Sequence, residues 1–321
     1  MTEPLSGSSI LSFDNFRPGL YNTVSDDNSD AFPVVKKSRI VRTAGDDLKG
    51  QILNGRYRLT SLLSKGGSGA VYLARCVETG ELVAVKILRS ELNLIPRVRE
   101  RFLIESRAAA RINHPAVVHA REMGETADGS LFFIMEYVPG PPLRKLMSQH
   151  KLDIPQALLI AAATAEGLKA AHLQGVIHRD LKPENILIPR NANAGSVVKI
   201  ADFGFARLLD TPRITTTESI IGTPSYLSPE QIAGHTVDRR TDIYSLGIVM
   251  YEMISGDLPF HGENAEELLD AQLRRVPAPL HKKVAGPLSP ALESLIMRCL
   301  QKSPDARPDN MGEVLDMLAT L

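Results

Sequence analysis

The residues whose types and spacing could do chemistry lie in a polar segment, His178 to Asn185, set between two apolar runs. The segment reads His-Arg-Asp-Leu-Lys-Pro-Glu-Asn, and Asp202-Phe203-Gly204 follows it. A loop of this kind can hold polar groups at fixed distances around one reacting centre. Phosphoryl transfer from a nucleotide needs such a set, because carboxylates and an amide hold metal ions while another carboxylate orients the nucleophile. The segment therefore predicts a phosphoryl-transfer site.

A glycine-rich turn between two strand-like runs is the second candidate. Residues alternate in polarity from Tyr57 to Leu63, and a short apolar run covers Val71 to Ala74, so we expect a strand on each side of the turn. The glycines in Ser64 to Val71 would let backbone N–H groups approach phosphate oxygens. The pattern G-x-x-x-x-G-K-[ST] is absent from the sequence, which argues against a Walker-type NTPase.

These motifs resemble those of the eukaryotic-type protein kinases, and most closely the bacterial Hanks-type serine/threonine kinases. The resemblance covers Tyr57 to Leu321. It implies an α+β, two-lobed protein kinase fold, with a small antiparallel-sheet N-lobe that carries one main helix and a larger, mostly helical C-lobe. Residues 22–30 are nearly all Asn, Ser and Asp, which predicts disorder. We therefore expect a disordered tail over 1–50 and a kinase domain over 51–321, with the N-lobe at about 57–138, the hinge at about 136–142 and the C-lobe at about 143–321.

The resemblance implies roles for the polar segment. Asp180 would accept the proton of the substrate hydroxyl, and Lys182 would neutralise the phosphoryl group during transfer. Asn185 and Asp202 would hold Mg²⁺, with Mn²⁺ as an alternative. Lys182 is the form of this loop found in serine/threonine kinases.

The resemblance also implies a lysine that grips the α- and β-phosphates of ATP. Lys86, in the β-rich run Val83 to Lys86, matches it. A helix over Arg99 to Ile112 would carry the carboxylate that holds this lysine. Glu105 matches that carboxylate, with Glu100 as the competing choice.

The nucleotide would lie between the glycine-rich turn and the hinge. Met135 would gate the adenine pocket, and the backbone of Glu136 and Val138 would bind the adenine edge. Ser64 departs from the family pattern, in which a glycine is usual. The full set expected around the nucleotide is Ser64, Lys65, Gly66, Gly67, Ser68, Gly69, Val71, Ala84, Lys86, Met135, Glu136, Val138, Asn185 and Asp202.

Other residues would support the site. His178 would pack under Phe203, and Arg179 suggests a switch by phosphate on the activation loop, at Thr215, Thr216 or Thr217. Further expected supports are Thr223 against Asp180 and Lys182, Asp242 as a brace for the catalytic loop, and Arg307 in a buried ion pair with Glu230. A metal site at His172 and His178 is disfavoured, because no cluster with ligand spacing surrounds them.

Composition is that of an ordinary soluble protein. The 321 residues are 43% hydrophobic and 23% charged, with 37 basic and 37 acidic residues. The balanced charge implies no whole-chain attraction to nucleic acid or membrane. The two cysteines, Cys76 and Cys299, form no disulfide or zinc pattern, and no run is long enough to span a membrane. We expect a cytoplasmic protein without a membrane anchor.

The sequence thus predicts an ATP-dependent, non-specific serine/threonine protein kinase that acts on protein substrates and is activated by autophosphorylation of its activation loop. A kinase-domain homodimer that phosphorylates in trans is a further expectation. The main alternative is a pseudokinase scaffold, supported only by Ser64 and by small residues, Ala109 and Ala120, where larger side chains usually stack. A small-molecule kinase such as an antibiotic phosphotransferase is disfavoured by Lys182 and by residues 222–230.

Overall fold

Alternating strand patterns fill the first part of the chain and helical periods fill the second, and the structure divides in the same way. It is a computed structural model. The predicted α+β, two-lobed fold is confirmed. The residues that the structure describes are 37–38, 48–66, 69–89, 92, 94–126, 129–190, 196–203 and 224–321, with the backbone alone described for 37, 38, 101 and 105.

The N-lobe is built on a seven-stranded sheet in the order β1-β6-β7-β5-β4-β3-β2. Its pairs are antiparallel except β1 with β6, which is parallel. β1 lies within the predicted tail, the rest of which up to residue 47 is outside the described residues. The strands are β1 (Lys37–Ser38), β2 (Ile52–Leu53), β3 (Tyr57–Lys65), β4 (Gly69–Cys76), β5 (Leu82–Leu88), β6 (Ala120–Thr126) and β7 (Leu131–Glu136).

One long helix, α1 (Pro96–Ala110), packs on this sheet. It begins three residues before the predicted Arg99, because a proline suits the first turn, where its missing N–H is not needed. Val98 and Phe102 are buried in a cluster with Phe133 and Met135 of β7. This packing sets α1 beside the strand that leads into the hinge.

The C-lobe is mostly helical around one large apolar core. Between its helices lies a two-stranded sheet, β8 (Ile186–Leu187) and β9 (Lys199–Ile200). β9 covers the last two residues of the run Val197 to Ile200. The helices are α2 (Leu143–Gln149), α3 (Ile154–Leu173), α4 (Pro229–Ile232), α5 (Arg240–Ser255), α6 (Ala265–Arg274), α7 (Pro290–Cys299) and α8 (Met311–Leu318).

Local capping sets two helix bounds outside the apolar runs of the sequence, which extend from Gln156 to His172 and from Ile243 to Ile254. α3 begins at Ile154 rather than Gln156, because Asp153 and Gln156 satisfy each other's backbone N–H groups. α5 begins at Arg240, two residues before Asp242, and ends at Ser255, where Gly256 follows with a φ of 78° that suits a glycine. Residues 241–254 of α5 are all buried, so this helix forms the centre of the C-lobe.

The helices in the described ranges include none with both the length and the apolar character needed to cross a membrane.

Candidate active site

The loop between α3 and β8 carries Asp180 in a constrained backbone. Arg179, just before it, has a φ of 67°, which a non-glycine residue adopts at a cost of about 1–3 kcal/mol unless its surroundings enforce it. The carboxylate of Asp242 accepts hydrogen bonds from the backbone N–H groups of His178 and Arg179, each at 2.8 Å. Asp242 therefore holds the backbone of the loop that carries Asp180.

Asp242 is fully buried, and neighbouring groups stabilise its ionised carboxylate. Burial by itself would raise the pKa of this carboxyl, but the hydrogen bond from His172 at 2.7 Å, the electrostatic attraction of that ring and the backbone N–H of Arg179 together lower the pKa. The contact with Asp242 also accounts for His172, which the sequence left without a role.

Asp180, Lys182 and Asn185 converge within this loop. The ammonium group of Lys182 lies 3.0 and 2.8 Å from the two carboxylate oxygens of Asp180. The side-chain amide of Asn185 donates to the backbone carbonyl of Asp180 at 2.8 Å and to its carboxylate at 3.2 Å. The Asp180 side chain remains 30% exposed, so another group can reach it. A short 3₁₀ turn over Pro183–Asn185 holds the amide in place.

Lys86 and Asp202 meet although they are 116 residues apart in the sequence. The Lys86 ammonium lies 2.8 Å from Oδ1 of Asp202, and the Lys86 side chain is only 7% exposed. Burial would raise the pKa of Asp202, but the charge and hydrogen bond of Lys86 lower it overall, so the carboxylate is ionised. Glu105 lies on α1, as predicted, but its side chain is outside the described residues, and its pairing with Lys86 stays a prediction.

His178 links the loop that carries Asp180 to the segment that carries Asp202. Its ring packs edge-on against Phe203 with 4.7 Å between centroids. Nδ1 accepts from the backbone N–H of Asp180 at 3.2 Å, so Nε2 carries the proton and donates to the carbonyl of Ala201 at 2.9 Å. One buried imidazole thus couples the position of Asp180 to the segment that carries Asp202.

The small residues Ala109 and Ala120 lie beside Phe203 and Met135 around a cavity of about 10 Å³. A cavity of that size is at the lower limit for one water molecule. The neighbouring side chains therefore fill most of the space that larger residues would occupy at these two positions.

The glycine-rich turn joins β3 to β4. Ser64 pairs with Val71 and Lys65 with Ala70, and the N–H of Gly66 donates to the carbonyl of Gly69 at 2.8 Å. A Cβ at Gly69 would lie 2.1 Å from the carbonyl oxygen of Ile87, so only glycine fits there. Gly67 and Ser68, at the tip, lie outside the described residues.

The hinge begins at the end of β7, with Met135 paired to Ala84 of β5. Both side chains are buried, as is that of Val138. The backbone N–H of Glu136 donates to the carbonyl of His119 at 2.9 Å, so an adenine base would have to use other backbone groups here. The Glu136 carboxylate lies 2.8 Å from the ammonium group of Lys199 on β9 and therefore ties the hinge to the C-lobe.

Glu230 and Arg307 form the buried ion pair that the resemblance implied. Two guanidinium nitrogens of Arg307 contact the two carboxylate oxygens of Glu230, each at 2.8 Å, and the Thr241 hydroxyl donates to the same carboxylate at 2.6 Å. Burial would raise the pKa of Glu230, but the hydrogen bond and charge of Arg307 lower it. The pair fastens the start of α4 to the segment between α7 and α8.

The remaining predicted positions cannot be placed. Residues 204–223 lie outside the described part of the chain. They include the candidate phosphorylation sites Thr215, Thr216 and Thr217, and also Thr223.

Two residues beside the catalytic loop were not singled out from the sequence. Arg144, on α2, contacts Glu184 at 2.8 Å, Glu252 at 2.6 Å and the hydroxyl of Tyr226. Gln231, on α4, donates from its side-chain amide to the backbone carbonyl of Arg179 at 2.8 Å. The spacing of Ser228 and Gln231 is that of a helix capping box, and this local signal was available in the sequence.

Several known proteins are similar to this chain in sequence or in structure. The family model described as "Protein kinase domain" matches residues 57–317. Among curated proteins, the chain is 37% identical over 269 residues to serine/threonine-protein kinase pkn3 of Myxococcus xanthus, an alignment that covers 82% of this chain and 49% of the relative. It is 40% identical over 270 residues to serine/threonine-protein kinase PknB of Mycolicibacterium smegmatis, covering 82% of this chain and 42% of the relative. The chain thus spans less than half the length of either relative.

Among solved structures, the kinase domain of PknI from Mycobacterium tuberculosis superposes with a TM-score of 0.63 at 25% sequence identity. The alignment covers 88% of this chain and 99% of the PknI kinase domain.

Proposed function

Because this chain belongs to the protein kinase family, and its relatives are bacterial serine/threonine kinases of the Hanks type, we propose that it transfers the γ-phosphate of ATP to serine and threonine hydroxyls of proteins. The observation that carries the proposal is the meeting of Lys86 with Asp202 beside the loop of Asp180. A cation for phosphates, an ionised carboxylate for a metal ion and a reachable carboxylate for the nucleophile then lie in one cleft.

Asp180 is proposed to orient the acceptor hydroxyl and to take its proton. Asp242 holds the backbone of the two residues before Asp180, and Lys182 and Asn185 hold its carboxylate, so the side chain needs little reorganisation when a substrate arrives. Lys182 is proposed to move part of its interaction to the phosphoryl group in transfer, because its ammonium already lies at the carboxylate that meets the acceptor.

The donor set of Asn185 and Asp202 fits Mg²⁺. Asn185 uses its amide nitrogen on Asp180, which leaves its amide oxygen, and Asp202 is ionised with Oδ1 on Lys86 and a second oxygen besides. Mg²⁺ prefers oxygen ligands and is usually held by one or two protein groups together with substrate phosphates. The ion would neutralise phosphate charge and orient the γ-phosphate. Mn²⁺ shares these ligand preferences.

The nucleotide is proposed to lie under the β3–β4 turn with its adenine at the hinge. Lys86 would exchange its contact with Asp202 for the α- and β-phosphates. Ser64 stands where a glycine is usual. Its side chain is exposed, and the residue pairs with Val71 of β4 through its backbone. We therefore expect nucleotide binding to survive this departure.

Phosphoryl transfer can be measured with radiolabelled ATP, Mg²⁺ and a generic protein acceptor. The wild-type protein should label itself and the acceptor, whereas Asp180→Asn should label neither and should still bind nucleotide. Asp270→Asn is the matched control, because this carboxylate is half exposed on α6 and pairs only within its own helix. Its activity should equal that of the wild type.

Two outcomes would replace the proposal. Nucleotide binding without transfer in the wild-type protein, even after Ser64→Gly, would indicate a pseudokinase scaffold. Transfer to an aminoglycoside but to no protein would indicate a small-molecule kinase.

Regulation and location extend the proposal. We propose that a phosphate on Thr215, Thr216 or Thr217 pairs with Arg179 and activates the enzyme, in trans within a homodimer. Mass spectrometry of active protein that finds no phosphate on these threonines would refute this.

Cys76 and Cys299 are both free thiols, which supports a cytoplasmic location. Residues 51–321 are proposed as the catalytic domain and residues 1–50 as a tail, in which Lys37 and Ser38 pair with β6.

A further inference from the structure

Gln231 contacts the catalytic loop from the segment that follows the activation loop. It is the third residue of α4, and its side chain reaches back to Ser228 at the start of that helix. Oε1 of Gln231 accepts from the backbone N–H of Ser228 at 3.0 Å and from the Ser228 hydroxyl at 3.1 Å. Nε2 donates to the backbone carbonyl of Arg179 at 2.8 Å.

The orientation of this amide follows from its two backbone partners. A backbone N–H can only donate and a backbone carbonyl can only accept. The end of the amide that faces the N–H of Ser228 is therefore the oxygen, and the end that faces the carbonyl of Arg179 is the nitrogen. A reversed amide would place two donors together at one end and two acceptors together at the other.

The contact falls on the most constrained residue of the catalytic loop. Arg179 has the positive φ of 67°, and its N–H donates to Asp242 at 2.8 Å. The carbonyl of Arg179 belongs to the peptide that leads into Asp180. Asp242 thus holds one side of Arg179 and Gln231 holds the other, and the two together resist relaxation of the left-handed turn.

We propose that Gln231 is a positioning residue for phosphoryl transfer, which holds the Arg179–Asp180 peptide and couples the segment after the activation loop to the proposed base. The proposal rests on the kinase activity proposed above. A displacement of about 1 Å at a reacting group can cost about a hundredfold in rate, so one hydrogen bond to this peptide can matter.

The variant Gln231→Glu tests the proposal, because it is nearly the same shape and keeps the acceptor that caps α4. Its second oxygen has no proton for the carbonyl of Arg179, so the two oxygens repel. We expect kcat to fall by about tenfold or more while the KM for ATP stays within about twofold. A residue that only stabilised the fold would not separate these two constants.

A second variant and a matched control separate positioning from capping. Gln231→Met loses both the cap and the contact with Arg179, so we expect the same fall in kcat and, in addition, a lower Tm. Gln156→Glu makes the same change at the same position of another capping box, at the start of α3. It should leave kcat and Tm unchanged.

Hydrogen–deuterium exchange of the nucleotide-free proteins gives a readout that does not depend on activity. The peptide over residues 177–187 should exchange faster in Gln231→Glu than in the wild type or in Gln156→Glu. Unchanged exchange there, or a wild-type kcat in Gln231→Glu, would overturn the proposal, as would a rise in the KM for ATP that accounts for the whole loss. If the wild type transfers no phosphate, the proposed function fails, and the exchange experiment still decides the role of Gln231.

Discussion

At the scale of single residues, the site depends on carboxylates that stay ionised where burial opposes their charge. Asp242 and Asp202 both do so, because cations and N–H groups surround them. Asp242 is held by hydrogen bonds and by a histidine, whereas Asp202 is held mainly by Lys86. Asp242 is therefore suited to a fixed brace, and Asp202 can change partners when a ligand brings other cations.

Asp242→Asn tests the brace. An amide in this position turns at least one donor toward the N–H groups of His178 and Arg179, so we expect a loss of about 3 kcal/mol in the free energy of unfolding. The wild-type pKa is lowered, so the contribution of the charge is present above the ordinary value of 3.8 and is lost as the pH falls below it. Urea unfolding should show a difference between the two proteins that is largest at neutral pH and shrinks below about pH 4. A difference that grows in acid would contradict this account.

At the scale of elements, the core of the C-lobe depends on helices that pack closely against each other. Gly247 lies in the middle of α5, where α7 ends against it. A Cβ at Gly247 would lie 2.8 Å from Cβ of Cys299 and 3.2 Å from Cδ2 of Leu300. The Cβ of Cys299 is attached directly to the backbone of α7, so it cannot move without the helix.

Gly247→Ala should therefore destabilise the protein in spite of the better helix former. Alanine gains about 1 kcal/mol of helix propensity, whereas overpacking of a core costs about 1–3 kcal/mol. We expect a net loss of about 1 kcal/mol in unfolding by urea. Gly167→Ala on α3 is the comparison, because its nearest neighbour, at 2.8 Å, is the movable end of Ile200, and the rigid Cβ and carbonyl oxygen of Ala116 lie farther away at 3.2 Å. A larger loss at Gly167 would show that contact with a rigid neighbour is not the cause.

At the scale of the whole molecule, the two lobes are joined by the hinge, by apolar packing and by ion pairs. Ala109 and Ile112 of α1 are buried in the same apolar cluster as the core of the C-lobe. Two ion pairs, Lys86 with Asp202 and Glu136 with Lys199, connect N-lobe strands to C-lobe segments. A ligand that carries charge can therefore replace one of them, and the lobes can respond to it.

Binding of Mg²⁺ with a non-hydrolysable ATP analogue should stabilise the whole molecule. At a hundred times Kd, the linkage of binding to folding gives about 2.7 kcal/mol, which appears as a rise in Tm. With EDTA present, the nucleotide alone should raise the Tm of Asp202→Asn as much as that of the wild type. The further rise in Tm that Mg²⁺ adds should be absent from Asp202→Asn. An equal Mg²⁺-dependent rise in both proteins would remove Asp202 from the metal site.

The sequence by itself indicated the candidate site and most elements, because these depend on neighbours along the chain. The spacing of Asp180, Lys182 and Asn185 lies within one loop, and hydrophobic periods located α3 and α5 to within a few residues. The start of α3 lies two residues before its apolar run because of the cap of Asp153 with Gln156, a local signal that could have been used.

Only the tertiary structure decided which distant groups meet. Lys86 with Asp202, Gln231 with Arg179 and Arg144 with Glu252 join residues 116, 52 and 108 positions apart. Such pairs depend on how helices and sheets pack after long loops close, and no local period or spacing encodes that. The same limit explains why Gln231, an ordinary polar residue in the sequence, became a candidate positioning residue only when the carbonyl of Arg179 was found beside it.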